Sequence, residues 1–319
     1  MRLYYRFLAN RANIKNPEMQ FAYCEYRRLF KNDKAITRLK HCASRFVPDS
    51  AVAAPLVCTE IKKAIDAKCP FSLIRIGNGE GNAVSMLRPS LHPATVKAFY
   101  TEFCSQNGLS VPLNSAIEFC ADVQDALSSA DVKGFRFFRF NEMALIEDRI
   151  RHNDLYACLG LTYARQFFYE ELRTGHCSHS TVTNAWIHLD LIPLLPDILE
   201  CASSVIVITG RLELEGKFRE RIGTKLTEFV SVPVQGFMPT NLEESHFGKR
   251  YQEVRNLLKR RNLKGTLVLV GAGLFGKVYC HDIRKAGGVA VDLGSAFDLL
   301  AGVVSRPAHK EINLDSVRW

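Results

Sequence analysis

The chain has 319 residues, 47% hydrophobic and 24% charged, which is enough to bury a full core and too apolar for wholesale disorder. Its formal net charge is +9, yet residues 1–48 hold eleven Lys/Arg against three Asp/Glu, so the basic character belongs to the N-terminal segment and the body is near neutral. No helix-turn-helix signature, zinc-finger spacing or RNA-binding aromatic motif is present, which excludes the common readers of specific nucleic-acid sequence.

Residues 1–69 read as a basic helical arm. Met19, Ala22, Tyr23, Tyr26, Leu29 and Phe30 recur at three- and four-residue steps, which places them on one helix face. Arg27, Arg28, Lys31 and Lys34 flank that stripe. Such charge forms either a solvated face or a contact with an anionic surface, and it suggests peripheral attachment of residues 1–48 to anionic membrane. Residues 1–9 are broken by Arg2 and Arg6 and do not form a signal-peptide core. The longest apolar run, 266–276, is glycine-punctuated and falls short of the ~20 residues that cross a bilayer. The expected protein is therefore cytoplasmic, soluble or peripheral at the inner face of a membrane. After a break near Pro48, Ser50 is positioned to cap a helix that runs to about residue 67.

Ten cysteines are scattered without any Cys-x-x-Cys pair, the usage of small core residues in a reducing compartment. The cluster His176-Cys177-Ser178-His179 lacks a second ligand pair at zinc spacing.

From residue 70 the texture changes to short apolar runs separated by helix-length segments. The predicted strands are 71–76, 109–112, 135–140, 155–159, 205–209, 229–234, 266–270 and 289–293. Several are near-continuous in Val, Ile and Leu, the pattern of strands buried on both faces. Predicted helices are 117–129, 163–174, 212–222, 242–261 and 275–286, the fourth opened by the capping-box pattern Thr240-Asn241-Leu242-Glu243. The expectation is one α/β domain over 70–319, a mainly parallel Rossmann-like sheet with flanking helices, preceded by the helical arm. Ligands in such folds bind beyond the carboxyl ends of the strands.

The first such place is the segment Arg75-Ile76-Gly77-Asn78-Gly79-Glu80-Gly81, which follows the strand 71–76. Three glycines in five residues allow positive φ and close approach of a ligand to the backbone. In an irregular loop, Asn78 and Glu80 point the same way and share one small cation, Mn²⁺ or Mg²⁺, completed by phosphate and water. Arg75 is placed to pair with a phosphate. The alternative is an ordinary turn facing solvent.

Arg75-Ile76-Gly77-Asn78-Gly79-Glu80 resembles the motif of the GT-D-type glycosyltransferases, a strand followed by Arg-x-Gly-Asp-Gly-Glu. The later segment 267–273, with its helix and Val291-Asp292-Leu293-Gly294, is similar to that family's C-terminal strand–helix–strand, so the likeness covers about 70–300. The resemblance implies a nucleotide-sugar donor, a UDP-sugar foremost, a glycan or lipid-linked acceptor, and a divalent metal held at the positions of Asn78 and Glu80. Asn78 departs from the family carboxylate: an amide oxygen ligates but brings no charge. Metal binding only together with the donor diphosphate is the expectation.

Gly271-Ala272-Gly273-Leu274-Phe275-Gly276 matches the dinucleotide fingerprint, with Asp292 21 residues after Gly271. An NAD(P)-dependent oxidoreductase is therefore the rival, weakened because the fingerprint usually opens a two-half fold and here lies near the chain's end. A P-loop reading fails because position 278 is Val, not Ser or Thr. Under every reading, glycine amides at a helix start beside Lys277 favour an anion. Arg211, after the strand 205–209, is a further phosphate candidate. Glu142, His246 and Asp292 are candidates for the base that takes the acceptor proton. A non-catalytic nucleotide-binding protein is the third reading.

Overall fold

Alternation along the strands fixes where they lie. Leu267 and Leu269 pack into one core cluster and Val268 and Val270 into another, and Val205/Val207 and Ile206/Ile208 divide the same way. Both faces of these strands are buried, so helices must cover both. The computed structural model describes residues 16–30, 45–88, 92–107, 111–136, 149–150, 152, 154–234 and 245–312.

The strands are Arg45–Val47 (β1), Phe71–Ile76 (β2), Val132–Phe135 (β3), Thr181–Asn184 (β4), Ser204–Thr209 (β5), Leu226–Ser231 (β6), Thr266–Gly271 (β7) and Val289–Asp292 (β8). They form one sheet in the order β1-β4-β3-β2-β8-β7-β5-β6. Every pairing is parallel. Helices Leu113–Ser129, Leu155–Thr174, Tyr251–Lys259 and Phe275–Lys285 supply one core. Helices Ser50–Asp66, Leu195–Cys201, Leu214–Ile222 and Ala296–Leu300 supply the other. The α/β sheet with flanking helices is as expected.

Several elements differ from expectation. The apolar run 155–159 is the first turn of helix Leu155–Thr174, not a strand. Asp154 caps it by accepting a hydrogen bond from the Ala157 amide at 3.0 Å, and burial continues around the helix, which erases the helical periodicity. Residues 111 and 112 lead directly into helix Leu113–Ser129, and 108–110 lie outside the described residues. β3 ends at Phe135, and 137–140 lie outside the described residues. β4 is polar in sequence yet buried throughout, so hydrophobicity did not mark it. Helix Pro93–Asn107 was likewise unmarked.

Residues before 70 also join the sheet. β1 is an edge strand paired with β4, and Ser50–Asp66 packs on one face, so the sheet domain takes in residues before 70. Helix Pro17–Phe30 buries Met19, Ala22 and Tyr26 against Leu159 and Tyr163 of helix Leu155–Thr174. Most of the basic segment 1–48, and the capping pattern at 240–243, lie outside the described residues. No described helix is long and apolar enough to cross a membrane.

Segment 78–85 bears most directly on the site. Asn78–Ser85 is a helix, not an irregular loop, and none of Gly77, Gly79 or Gly81 has positive φ. Its glycines serve close approach instead. A Cβ on Gly81 would lie 1.8 Å from the Gly160 carbonyl oxygen, and one on Gly160 would lie 2.1 Å from the Asn78 carbonyl oxygen. The two helix backbones therefore touch. Gly160→Ala is predicted to lower stability by about 1–3 kcal/mol, because neither backbone can give way. Urea denaturation measures it, and an unchanged midpoint contradicts the contact.

Candidate functional site

Loops leaving β2, β3, β4, β5, β7 and β8 enclose a cleft of about 820 Å³ at the carboxyl ends of the strands. Parallel strands bring these loops to the same edge of the sheet. Arg75, Gly77, Asn78, Gly79 and Glu80 line it from β2. Arg211 lines it from β5, and Gly271, Gly273 and Lys277 line it from β7 and the helix that follows. These residues from three distant parts of the sequence meet in one cavity. Six basic side chains line the cleft against four acidic ones, so it favours an anion.

Asp292 lies beneath that surface with only 2% of its side chain exposed. The pairing of β2 with β8 ends at Leu73↔Val291, which sets Arg75 beside Asp292. One Asp292 oxygen accepts from the Arg75 amide at 3.1 Å, and the other faces Arg75 Nη2 at 3.2 Å. Arg75 Nε donates to the Asp292 main-chain oxygen at 3.2 Å. Lys277 Nζ donates to the Asp292 carboxylate. Burial alone would raise the Asp292 carboxyl, but the Arg75 and Lys277 charges outweigh it and hold the pKa below the ordinary carboxylate range. Gly294 completes the arrangement. It sits at φ +44, and a Cβ there would lie 1.6 Å from Arg75 Nη2.

Lys277 reaches a second carboxylate. Its Nζ lies 3.4 Å from Glu80 Oε1. Glu80 Oε2 accepts from the Gly77 amide at 2.8 Å, which caps the helix start. Asn78 Oδ1 accepts from Arg136 Nη1 at 3.2 Å. The Arg136 guanidinium in turn stands 5.7 Å from the Trp186 ring.

This geometry does not fit the expected cation between Asn78 and Glu80. Residues two apart in a helix point about 200° from each other, whereas the sharing of a cation assumed an extended loop. Both Glu80 oxygens and the Asn78 oxygen already face donors. Among the described residues, no three His, Cys, Asp or Glu side chains group so as to hold a metal ion. A divalent ion at roughly 4 Å from the Lys277 ammonium would also meet repulsion of about 8 kcal/mol at an effective dielectric of about 20.

Other expected residues fall elsewhere. Arg211 is on the cleft wall, its Nε donating to Asp298 Oδ1 at 2.7 Å. His246 does not line the cleft. Its Nε2 lies 2.8 Å from the Tyr279 hydroxyl and its ring stacks on Phe275 at 4.2 Å, so its position is structural. Asp292 is engaged by two cations and sealed, which removes it as a base for the acceptor and as a partner for a ribose hydroxyl. Glu142 lies outside the described residues.

Sequence reasoning missed Arg136, Trp186 and Ser295, all of which line the cleft. Arg136 directly follows β3, but a strand expected to run to residue 140 hid that strand end. Trp186 follows the polar strand β4. Buried His188 is driven well down in pKa, by desolvation first and by Arg75 next. Its Nδ1 donates to the Ala185 carbonyl at 3.0 Å, which leaves Nε2 to accept from the Ser295 hydroxyl at 3.3 Å.

A family model described as a GT-D fold-like domain matches residues 52–300. The chain is also similar to two solved structures. One, described as the selenomethionine-substituted structure of domain of unknown function 1792, shows 15% identity, 80% coverage of each chain and a TM-score of 0.37. The other, described as that domain of unknown function with a distinct glycosyltransferase fold, shows 15% identity, 81% coverage of each chain and a TM-score of 0.40. No curated protein matches the chain.

Burial first, and Arg250 second, push the His246 pKa down to about 3. The folded state thus refuses a proton that the unfolded chain accepts near 6.5. Its contribution to stability is full above about pH 6.5 and is lost as pH falls toward about 3. His246→Gln removes that proton. The urea midpoints of variant and wild type should therefore draw together between about pH 7 and pH 4. A gap of constant size at both values contradicts the assignment.

Proposed function

The chain belongs to the GT-D-like family, and from that membership we propose that it is a glycosyltransferase using a nucleoside-diphosphate sugar, a UDP-sugar foremost. The observation that carries this reading is the anion-favouring cleft over the Arg75–Asp292–Lys277–Glu80 cluster. In sugar transfer the bond from the anomeric carbon to the diphosphate oxygen breaks, and its electron pair leaves with the diphosphate. The acceptor hydroxyl oxygen bonds that carbon and gives its proton to a base. Negative charge grows on the leaving group, so fixed cations beside it lower the barrier.

The residues take distinct roles under this reading. Arg75 and Lys277 are held in place before the donor arrives, so little reorganisation accompanies the reaction. Arg75 lines the cleft, and its Nη1 has no hydrogen-bond partner among the described residues. Arg211 stands on the wall as a further phosphate contact, and Trp186 offers a ring against which a sugar or a base packs. Glu80 positions Lys277 and caps the helix that carries Asn78. The acceptor, a glycan or a lipid-linked sugar, supplies the hydroxyl.

The rival oxidoreductase reading needs a free carboxylate about 20 residues beyond the first glycine to hold the ribose hydroxyls. Asp292 occupies that place and is bound to Arg75 and Lys277 instead. A panel of nucleotide sugars and of NAD(P) tests the two. One nucleotide sugar should raise the melting temperature and be consumed with release of its nucleoside diphosphate when acceptor is present. Stabilisation by NAD(P) alone contradicts the proposal. Arg211→Ala should weaken binding of that nucleotide sugar about tenfold, or about 1.4 kcal/mol, with the fold unchanged by circular dichroism. Undiminished affinity removes Arg211 from the site.

A further inference from the structure

We propose that the Lys277 ammonium is a resident cation that takes the part expected of a divalent metal, so that this chain binds its diphosphate leaving group without one. The inference rests on the glycosyltransferase reading above and specifies how that site handles charge.

Four observations converge on it. Lys277 Nζ bridges two carboxylates, Asp292 at the end of β8 and Glu80 in the helix that follows the adjacent strand β2. A cation between two carboxylates at the floor of an anion-binding cleft is what a metal would provide; here it is supplied covalently by helix Phe275–Lys285. The Lys277 side chain is 3% exposed yet lines the cleft, and of the three N–H donors on its ammonium one is given to Asp292 while Glu80 Oε1 stands at ion-pair distance, 3.4 Å. Under this proposal a donor not given to Asp292 meets a phosphate oxygen.

The charge balance supports the same conclusion. Arg75 and Lys277 together offset Asp292 and Glu80, so the cluster is neutral before any ligand enters. A divalent metal needs an excess of carboxylate charge, and this cluster has none to offer. The neutral amide at Asn78 fits that balance. Asn78 does not face Lys277. Its oxygen accepts from Arg136, so this position too presents a cation's partner and not a metal ligand.

The chemistry balances without a metal. The anomeric carbon–oxygen bond breaks, the electron pair passes to the diphosphate, and Lys277 with Arg75 stabilises the new charge. The acceptor oxygen bonds the anomeric carbon, and its proton leaves to a base. No electron donor or further reactant is required.

Calorimetric titration of the full chain with UDP, GDP and ADP, in EDTA and in excess Mn²⁺, tests the inference. At least one of these diphosphates should bind in EDTA, with an affinity that Mn²⁺ changes by less than about threefold. Lys277→Met should lose tenfold or more of that affinity in EDTA. Binding by the wild type only when Mn²⁺ is present overturns the inference and leaves the glycosyltransferase reading standing. Wild-type affinity in Lys277→Met overturns it as well. Absence of binding by all three diphosphates in both buffers overturns the inference and the reading beneath it. Should Lys277→Met fail to fold, the two wild-type titrations decide the question alone.

Discussion

A single buried carboxylate ties the cleft together. Asp292 ends β8, and it draws in Arg75 from the neighbouring strand β2 and Lys277 from the helix after β7. A lone carboxylate at that depth would carry a large desolvation cost, and a lone lysine would too. Each group is tolerable only because the others are present. Removal of one leaves its partners as buried, unpaired charge, a change that typically costs about 3–5 kcal/mol. The cluster therefore sets the geometry of the cleft floor and the integrity of the strand ends together.

The second constraint is backbone contact. Helix Asn78–Ser85 approaches helix Leu155–Thr174 closely enough that Gly81 and Gly160 admit no side chain. That contact fixes the first turn of the helix, and with it Glu80, whose carboxylate spans the Gly77 amide and the Lys277 ammonium. Packing between these two helices thus determines which oxygen faces which cation. At the opposite end of the cluster, Gly294 leaves room for the Arg75 guanidinium.

Much of this was legible in the sequence. Strands at 71–76, 205–209, 266–270 and 289–293 are Val/Ile/Leu-rich and buried on both faces, and the structure has strands there. The parallel α/β arrangement followed from their alternation with helices, and the strand-end rule pointed to Arg75, Glu80, Arg211 and Lys277, which do share a cleft. What was lost was lost for physical reasons. β4 is Thr-Val-Thr-Asn, buried by its surroundings and not by its own hydrophobicity. Leu155–Thr174 is buried around most of its circumference, so its start looked like a strand. The glycines at 77–81 suggested a flexible turn, but Gly81 is needed for a helix–helix contact with a partner 79 residues away, which no local pattern reveals. Asp292 suggested a ribose ligand, because nothing in the sequence tells that Arg75 and Lys277 converge on it.

Under the proposed reading, the Lys277 ammonium and Arg75 guanidinium, both fixed on a sealed carboxylate, receive a diphosphate. A crystal structure with a bound nucleoside diphosphate, grown with Mn²⁺ present, probes this most directly. The β-phosphate should lie within about 3 Å of Lys277 Nζ or Arg75 Nη1, with Asp292 still paired to both side chains. A metal ion bridging Asn78, Glu80 and the phosphates, with Lys277 turned away, would contradict it.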